Sequence, residues 1–280
     1  MNQTHLTELA DQYANRYNPK GSRLRNDQEE LVKILKDLAD ICDKHGIQWW
    51  LSSGTLLGAA RHRGFIPWDD DVDIVMLRKD YRKLKKILLS MDNDEYFPQC
   101  MESDVEYVNT FMKFRRKKGR LDTINRRTLN YKYAGLFIDI FCIEYTNRFC
   151  ASASKHIYHA LQHPTIYIKN KWIRRTLIRF VEIFTFTLII PLFRLLGKIN
   201  PKHEYHYEHG SGWYNHTFFM KDTFPLAKAE FEGHLFPVPK DMDAYLTNVY
   251  GDWRKYPSDE EIREALHSRE YITEIFENRQ

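Results

Sequence analysis

A run of acidic residues that leads directly into an apolar strand constrains this chain more than any other feature. Asp69, Asp70, Asp71 and Asp73 are followed by Ile-Val-Met-Leu, and residues 71–77 are predicted to form a strand that enters a buried sheet. Because side chains alternate on a strand, Asp71 and Asp73 would share a face about 6–7 Å apart. Two carboxylates at that spacing suit a hard divalent cation. The alternative interpretation is that the acidic run is a solvated loop that binds no cation.

A turn of small residues comes before the acidic run. Residues 47–51 are predicted as a short strand and residues 55–60 as a short helix, with Ser52, Ser53 and Gly54 between them. A strand, a small-residue turn and a helix N-terminus expose free backbone N–H groups, which bind anions. The sequence therefore predicts a phosphate site beside the carboxylates.

A further acid lies in a second apolar strand, at Asp139 within residues 135–141. A buried carboxylate is costly unless it is paired or bound to metal, although it could also cap a turn at a strand end. Lys113 and Arg115 lie on another predicted strand, at the start of a basic run that extends to Arg120 and is otherwise typical of a solvated hairpin edge. These two are the cations expected to contact a bound phosphate.

The motif Gly-Thr-Leu-Leu-Gly-Ala-Ala-Arg-His-Arg-Gly-Phe-Ile-Pro-Trp-Asp-Asp-Asp-Val-Asp-Ile, residues 54–74, resembles the signature of the LicD/fukutin-type phosphotransferases. The resemblance returns at Phe-Glu-Gly-His-Leu-Phe-Pro-Val-Pro, residues 231–239, and at residues 245–253, so that it covers about residues 27–256 with a break at 148–200. It implies an α+β fold with a nucleotidyltransferase-like mixed sheet flanked by helices, and a metal site at which Asp139 joins Asp71 and Asp73. The expected ion is Mg²⁺ or Mn²⁺.

The resemblance also implies the reaction, the transfer of phosphocholine from CDP-choline to a cell-surface glycan such as a lipopolysaccharide, capsule or teichoic acid precursor. The residues expected to bind the donor and its phosphates are Ser53, Gly54, Thr55, Arg61, His62, Arg63, Lys113 and Arg115. The candidates for an aromatic cage around the choline cation are Trp49, Trp50, Trp68 and Trp253. Two alternatives remain at this point: another donor, such as CDP-ribitol, CDP-glycerol or a nucleoside triphosphate, and a non-catalytic scaffold docked on a membrane.

The chain is expected to divide into a flexible segment (1–25), a catalytic core (26–147), a helical and partly apolar insertion (148–212) and a C-terminal lobe (213–280). A net charge of +4 does not indicate a nucleic-acid partner, and four scattered cysteines suit reduced thiols. The N-terminus has no basic and apolar signal-peptide pattern, so a cytoplasmic location is expected.

Three amphipathic helices are predicted outside the motif. The first begins at an Asn26 cap and ends near Gly46, and the other two cover residues 79–90 and 241–250. The uncharged segment 183–193 is too short for a membrane span, which leaves a helix at the membrane interface or a buried core helix. His203, His206 and His209 could bind metal, but a structural or exposed role is favoured.

Overall fold

The fold is a mixed sheet flanked by helices, and it confirms the predicted α+β class. The structure is a computed structural model that describes residues 3–119, 130–211 and 216–264. The strands are β1 (Trp50–Leu51), β2 (Asp73–Leu77), β3 (Tyr96–Gln99), β4 (Met112–Arg116), β5 (Phe137–Tyr145), β6 (Tyr205–Tyr207), β7 (Ala227–Phe231) and β8 (His234–Val238). The helices are α1 (Gln3–Tyr17), α2 (Arg23–Lys44), α3 (Ser53–His62), α4 (Arg78–Ser90), α5 (Arg148–Gln162), α6 (Lys171–Phe184), α7 (Ile190–Gly197), α8 (Met220–Thr223) and α9 (Met242–Tyr250).

The main sheet has the strand order β1-β2-β5-β4-β3, and β6 also pairs with β5. Strands β2 and β5 are parallel, while the other pairs are antiparallel. Helices α2 and α4 pack on this sheet through apolar faces that are spaced at helical intervals, as the sequence predicts. The parallel β2–β5 pair lies at the centre, so both strands are buried almost throughout.

Two helix starts differ from the sequence prediction. Helix α2 begins earlier than expected, because Ser22 rather than Asn26 is its N-cap and accepts a hydrogen bond from the backbone N–H of Arg25. Residues 3–17, expected within a flexible segment, form α1. Its Tyr13 stacks on Tyr256 at 4.9 Å, a contact 243 positions away that no local pattern reveals.

The apolar insertion forms one continuous helix from Lys171 to Gly197, made of α6, a π-helical turn (Thr185–Ile189) and α7. This helix is long and apolar enough to cross a membrane by length and composition alone, with a mean hydropathy of 1.8 in its most apolar window of 18 residues. Only 28% of that window is buried. This low burial does not fit the core-helix alternative, and the helix is longer than the uncharged segment 183–193, which alone is too short for a membrane span.

The C-terminal part packs on the helix that follows the small-residue turn. The hairpin β7–β8 and helix α9 both contact α3, and β8 contacts β1. Helix α9 starts after an Asp241 cap, close to its predicted start. These contacts connect the hairpin and α9 to the elements that surround the acidic residues.

Candidate active site

The register of three neighbouring strands places the main candidate residues side by side. Asp73 pairs with Asp139 across the parallel strands β2 and β5. Lys113 pairs with the same Asp139 across the antiparallel strands β4 and β5. Paired residues of adjacent strands point to the same face of a sheet, so the three side chains form a row.

Asp71 completes a cluster of three carboxylates. It lies in the loop before β2, whereas the sequence predicted that it would belong to the strand. One oxygen from each of Asp71, Asp73 and Asp139 lies within 4.8 Å of the other two. Asp73 and Asp139 are 8% and 7% exposed, so two of the three carboxylates are nearly removed from water.

The charges of this cluster are only partly compensated by Lys113. Its ammonium nitrogen lies 2.6 Å from Oδ1 of Asp139 and 3.4 Å from the centre of the Phe137 ring. Burial, together with the charge of Asp139, raises the pKa of Asp71 to about 6. Burial and the charge of Asp71 raise the pKa of Asp73 well above its ordinary value, and burial raises that of Asp139 despite the nearby ammonium. Ionisation of all three carboxyl groups at once is therefore unfavourable unless a further cation joins Lys113.

This donor set fits a hard divalent cation. All three groups offer carboxylate oxygens, and Mg²⁺ and Mn²⁺ prefer oxygen ligands. Carboxylates this close repel one another unless a proton or a cation lies between them. Asp69, Asp70 and Asp71 form a second group with oxygens within 4.8 Å of each other, adjacent to the first.

The small-residue turn lies against the carboxylates, as predicted. The hydroxyl of Thr55 accepts a hydrogen bond of 2.8 Å from the backbone N–H of Asp73, which fixes the first residue of β2 to α3. Ser53 has a left-handed backbone conformation, with φ of 48°. A Cβ atom on Gly54 would lie 2.6 Å from Oδ2 of Asp69, so a larger residue here would require the Asp69 side chain to move. The Asp69 carboxylate thus already faces the N-terminus of α3, where a phosphate was expected.

The basic end of α3 is structural, which corrects the prediction for Arg61 and His62. Arg61 is 5% exposed and donates hydrogen bonds of 3.3 Å to the backbone carbonyls of Trp253 and Lys255. Burial lowers the pKa of His62 to about 3, so its ring is neutral, and it packs on Tyr256. Both residues are in the last turn of α3, about 12 Å along the helix axis from Ser53.

Two further cations have different placements. Arg63 is exposed and ends α3 in a left-handed conformation. Arg115 is buried and donates to the side chain of Gln99 at 2.8 Å and to the carbonyl of Gly135 at 2.5 Å. Lys113 is therefore the predicted phosphate-binding cation that the structure brings to the carboxylates.

The four tryptophans proposed for a choline cage do not form one group. Trp49 and Trp50 are 2% and 0% exposed within the core, which leaves no ring face for a ligand. Trp253 is also buried, and its ring is covered by the guanidinium of Arg254 at 4.2 Å. Trp68 is half-buried beside Tyr13 and differs from the other three in retaining an exposed part.

The histidines His203, His206 and His209 are separated. His203 is exposed, His206 contacts Glu204 at 3.2 Å, and Nδ1 of His209 lies 2.9 Å from the hydroxyl of Ser154. The groups that could hold a metal among the described residues do not include these histidines. Their structural interpretation is the one that the contacts favour.

Sequence reasoning missed Glu232, which anchors the signature motif. Its Oε1 accepts hydrogen bonds of 3.0 Å from the guanidinium of Arg25 and from the backbone N–H of Phe65, and its own N–H donates to the carbonyl of Arg63. A Cβ on Gly64 would lie 2.4 Å from Glu232 Oε1. The only sequence signal was the repeated family resemblance at residues 231–239, which indicated the segment but not the role of its glutamate.

Comparisons with known proteins agree with this geometry. Residues 46–176 match the family described as LicD/FKTN/FKRP, nucleotidyltransferase domain, a match that contains all three carboxylates and Lys113. Lipopolysaccharide cholinephosphotransferase LicD of Haemophilus influenzae is 26% identical over 270 residues, which cover 89% of this chain and 98% of that protein.

Two animal proteins are similar over a much shorter stretch. Ribitol 5-phosphate transferase FKRP of Homo sapiens is 48% identical over 50 residues, and ribitol-5-phosphate transferase FKTN of Mus musculus is 45% identical over 51 residues. Each match covers 18% of this chain and 10% of the animal protein. All three relatives are named as transferases of phosphate-containing groups, which confirms the enzyme class predicted from the sequence. Residues 46–176 are thus similar to the nucleotidyltransferase domain of the LicD/FKTN/FKRP family, and the similarity to LicD extends over 89% of the chain.

Proposed function

We propose that this protein is a metal-dependent phosphotransferase that moves phosphocholine from CDP-choline to a cell-surface glycan. The observation that carries the proposal is the cluster of Asp71, Asp73 and Asp139, whose oxygens lie within 4.8 Å of one another beside Lys113. A buried group of three carboxylates is unfavourable for folding by itself. Its arrangement is accounted for by the binding of Mg²⁺ or Mn²⁺ together with a diphosphate.

The residues of the chain have separate roles in this proposal. Asp71, Asp73 and Asp139 hold the metal, which when bound offsets the negative charge of the donor diphosphate and of the transition state. Lys113 orients Asp139 and adds positive charge next to the phosphates. Asp139 either completes the metal ligands or accepts the proton of the attacking glycan hydroxyl. Thr55 holds Asp73 in place through its backbone N–H.

The choice of phosphocholine rests on the extent of the similarities. The cholinephosphotransferase LicD matches along 89% of the chain, while the ribitol phosphate transferases match along 18%. CDP-ribitol or CDP-glycerol is the second candidate donor, because the short match to FKRP and FKTN has the higher identity. Trp68 is the retained candidate for contact with a quaternary ammonium group. The acceptor proposed is a glycan or lipid-linked glycan at the cytoplasmic face of the membrane.

The test is hydrolysis of the donor by the purified protein, with water in place of the glycan hydroxyl as acceptor of the phosphoalcohol, measured as CMP release with Mg²⁺, Mn²⁺ or a chelator. CDP-choline, CDP-ribitol, CDP-glycerol and CTP are compared at equal concentration, and thermal unfolding is measured in parallel because a bound ligand stabilises the fold. Asp73→Asn is the site variant, and Asp94→Asn, an exposed aspartate on another loop, is the matched control. We expect metal-dependent release from CDP-choline that Asp73→Asn reduces by at least about a hundredfold and Asp94→Asn leaves unchanged.

Other outcomes would change the proposal in defined ways. Preferential turnover of CDP-ribitol or CDP-glycerol would retain the metal site and replace the donor. Neither turnover nor stabilisation with any donor and metal, in protein shown to be folded, would support the non-catalytic scaffold. Turnover that persists in Asp73→Asn would refute the assignment of the metal site.

A further inference from the structure

The helix from Lys171 to Gly197 exposes a continuous apolar face. Its exposed apolar side chains recur at intervals of three to five residues, and the interval of five falls at the π-helical turn, so that they lie on one side of the helix. Phe180, Ile183, Leu188, Leu192 and Leu195 are each between 54% and 63% exposed. Between Lys171 and Lys198, none of the exposed residues of this helix is charged.

After Lys171, every charged residue of this helix forms an ion pair, and the side chains of these residues are at most 39% exposed. Arg174 and Arg175 both pair with Glu106, which is 1% exposed, at 2.9 and 3.0 Å. Arg194 pairs with Glu144 of β5 at 2.9 Å, and Glu144 is 7% exposed. The arrangement is the reverse of a surface helix in water, whose apolar side normally faces the core.

Such an inverted arrangement requires an apolar environment outside the protein. Isolated exposed leucines are common, but a long contiguous apolar patch marks a surface that contacts a membrane or a partner. Ion pairs hold the opposite side of the helix on the sheet and on the loop that carries Glu106. The apolar face is therefore held outward by the fold.

The ends of this face carry the residues typical of a membrane boundary. Trp172 is 82% exposed at one end, and Phe149 and Ile199 are 74% and 73% exposed at the other. These two lie close together, because the side chain of Asn147 donates to the carbonyl of Ile199 at 2.9 Å. Aromatic residues and lysines are enriched where a membrane meets water. The exposed lysines near the two ends are Lys169, Lys171, Lys198 and Lys202.

The charge of the whole insertion favours an anionic surface. Residues 148–212 contain ten lysines and arginines and three acidic residues, Glu182, Glu204 and Glu208. An interface with a second copy of the chain would bring these like charges together, whereas an anionic lipid surface complements them.

We propose that the Lys171–Gly197 helix lies in the plane of an anionic lipid bilayer, with its apolar face among the acyl chains. It does not cross the bilayer, because crossing would place Arg179, Glu182 and Arg194 in hydrocarbon and separate Arg194 from Glu144. Glu144, which pairs with Arg194 of the helix, is five residues beyond Asp139 on β5. The carboxylate cluster therefore lies roughly 17 Å along the strand from the point where the helix is attached.

The test is sedimentation of the full-length protein with sucrose-loaded vesicles, without donor or metal, so that it is independent of the proposed reaction. Vesicles of phosphatidylcholine alone are compared with vesicles of phosphatidylcholine and phosphatidylglycerol in equal parts. Leu188→Glu and Leu192→Glu each place a charge on the apolar face. Leu235→Glu is the matched control, because Leu235 is 66% exposed on the β7–β8 hairpin, outside the insertion.

We expect binding to the anionic vesicles that falls by about tenfold or more in each of the two face variants and stays within about twofold in Leu235→Glu. The triple variant Lys169→Gln, Lys171→Gln, Lys198→Gln should lose the preference for anionic lipid. Because all these side chains contact solvent, thermal unfolding should be unchanged.

Three results would overturn the proposal. The first is equal vesicle binding by wild type and both face variants. The second is wild-type protein that resists extraction from vesicles by alkaline carbonate, which would indicate a spanning helix. The third is a dimer in the absence of vesicles that Leu188→Glu converts to a monomer, which would show that a second copy covers the face.

Discussion

Replacing Lys113 with methionine removes the ammonium group that pairs with Asp139 in the carboxylate cluster. The two side chains are 11% and 10% exposed, and their charged atoms are 2.6 Å apart. Methionine keeps a long unbranched side chain, so the change removes charge with little loss of packing volume.

The loss of stability in Lys113→Met is bounded by two energies, the attraction between Lys113 and Asp139 and the cost of protonating Asp139. At an effective dielectric constant of about 20, opposite charges 2.6 Å apart attract by about 6 kcal/mol, part of which is offset by the cost of burying the ammonium. In the variant, Asp139 can take up a proton instead of remaining as an unpaired carboxylate. Protonating a carboxyl group of ordinary pKa 3.8 at pH 7 costs about 4 kcal/mol, which limits the loss. We therefore expect Lys113→Met to lower the free energy of unfolding by about 3 kcal/mol at pH 7.

The assay is urea unfolding in the presence of EDTA at pH 7 and at pH 5. Protonation becomes easier by about 1.4 kcal/mol for each unit that the pH falls, so over two units the loss should shrink to well below about 1 kcal/mol at pH 5. Lys85→Met is the control, because Lys85 pairs with Glu102 at 2.7 Å but Glu102 is 50% exposed. That variant should lose less than about 1 kcal/mol at either pH.

Two results would refute this reasoning. A loss in Lys113→Met that equals the loss in Lys85→Met would show that the cluster is solvated. A loss that is the same at pH 5 and pH 7 would show that the unpaired carboxylate is not its cause. If the cluster is solvated, its carboxylates do not need a metal ion to offset their charge.

Three further predictions concern other buried contacts. Burial raises the pKa of Glu208 to about 8, so between about pH 4.5 and 8 the folded protein holds a proton that the unfolded chain releases, and stability falls as pH rises. In urea unfolding, Glu208→Gln should be about 3 kcal/mol more stable than wild type at pH 7 and nearly equal to it at pH 5. A difference that does not depend on pH would contradict this. In a double-mutant cycle, Arg25→Gln and Glu232→Gln should show a coupling of about 1–2 kcal/mol, whereas additive losses would mean that their bidentate contact does not form in solution. Gly58→Ala places a Cβ 2.4 Å from the carbonyl oxygen of Gly64 and should lower stability by about 2 kcal/mol, an expectation that an unchanged melting temperature would rule out.

The carboxylate site could be predicted because its information is local. Asp73 and Asp139 each interrupt an apolar strand pattern, and a charge in such a strand requires a partner wherever the strand pairs. The pairing of Asp73 with Asp139 follows once β2 and β5 are adjacent and parallel. The family resemblance implied that these two strands are neighbours, and the strand order of the sheet shows that they are.

The roles of Arg61, His62 and the tryptophans could not be predicted in this way. A basic pair beside an acidic motif suggests phosphate binding, but α3 turns Arg61 toward the backbone of Trp253, which is 192 residues later. Trp49 and Trp50 have the chemistry of a cation cage and the burial of core residues. Solvent exposure of the side chain decides whether such a residue can bind a ligand or belongs to the core. That exposure depends on which distant segments of the chain pack together.

The sequence by itself determined the acidic run before an apolar strand and the amphipathic helices, because strand and helix periodicities are properties of consecutive residues. The α+β class was implied by the family resemblance. The sequence left the apolar insertion undecided between a core helix and an interfacial helix. Only the tertiary structure decided that the arginines of this helix face inward and its leucines outward, because Glu106 and Glu144, the partners that orient it, lie 68 and 50 positions away along the chain.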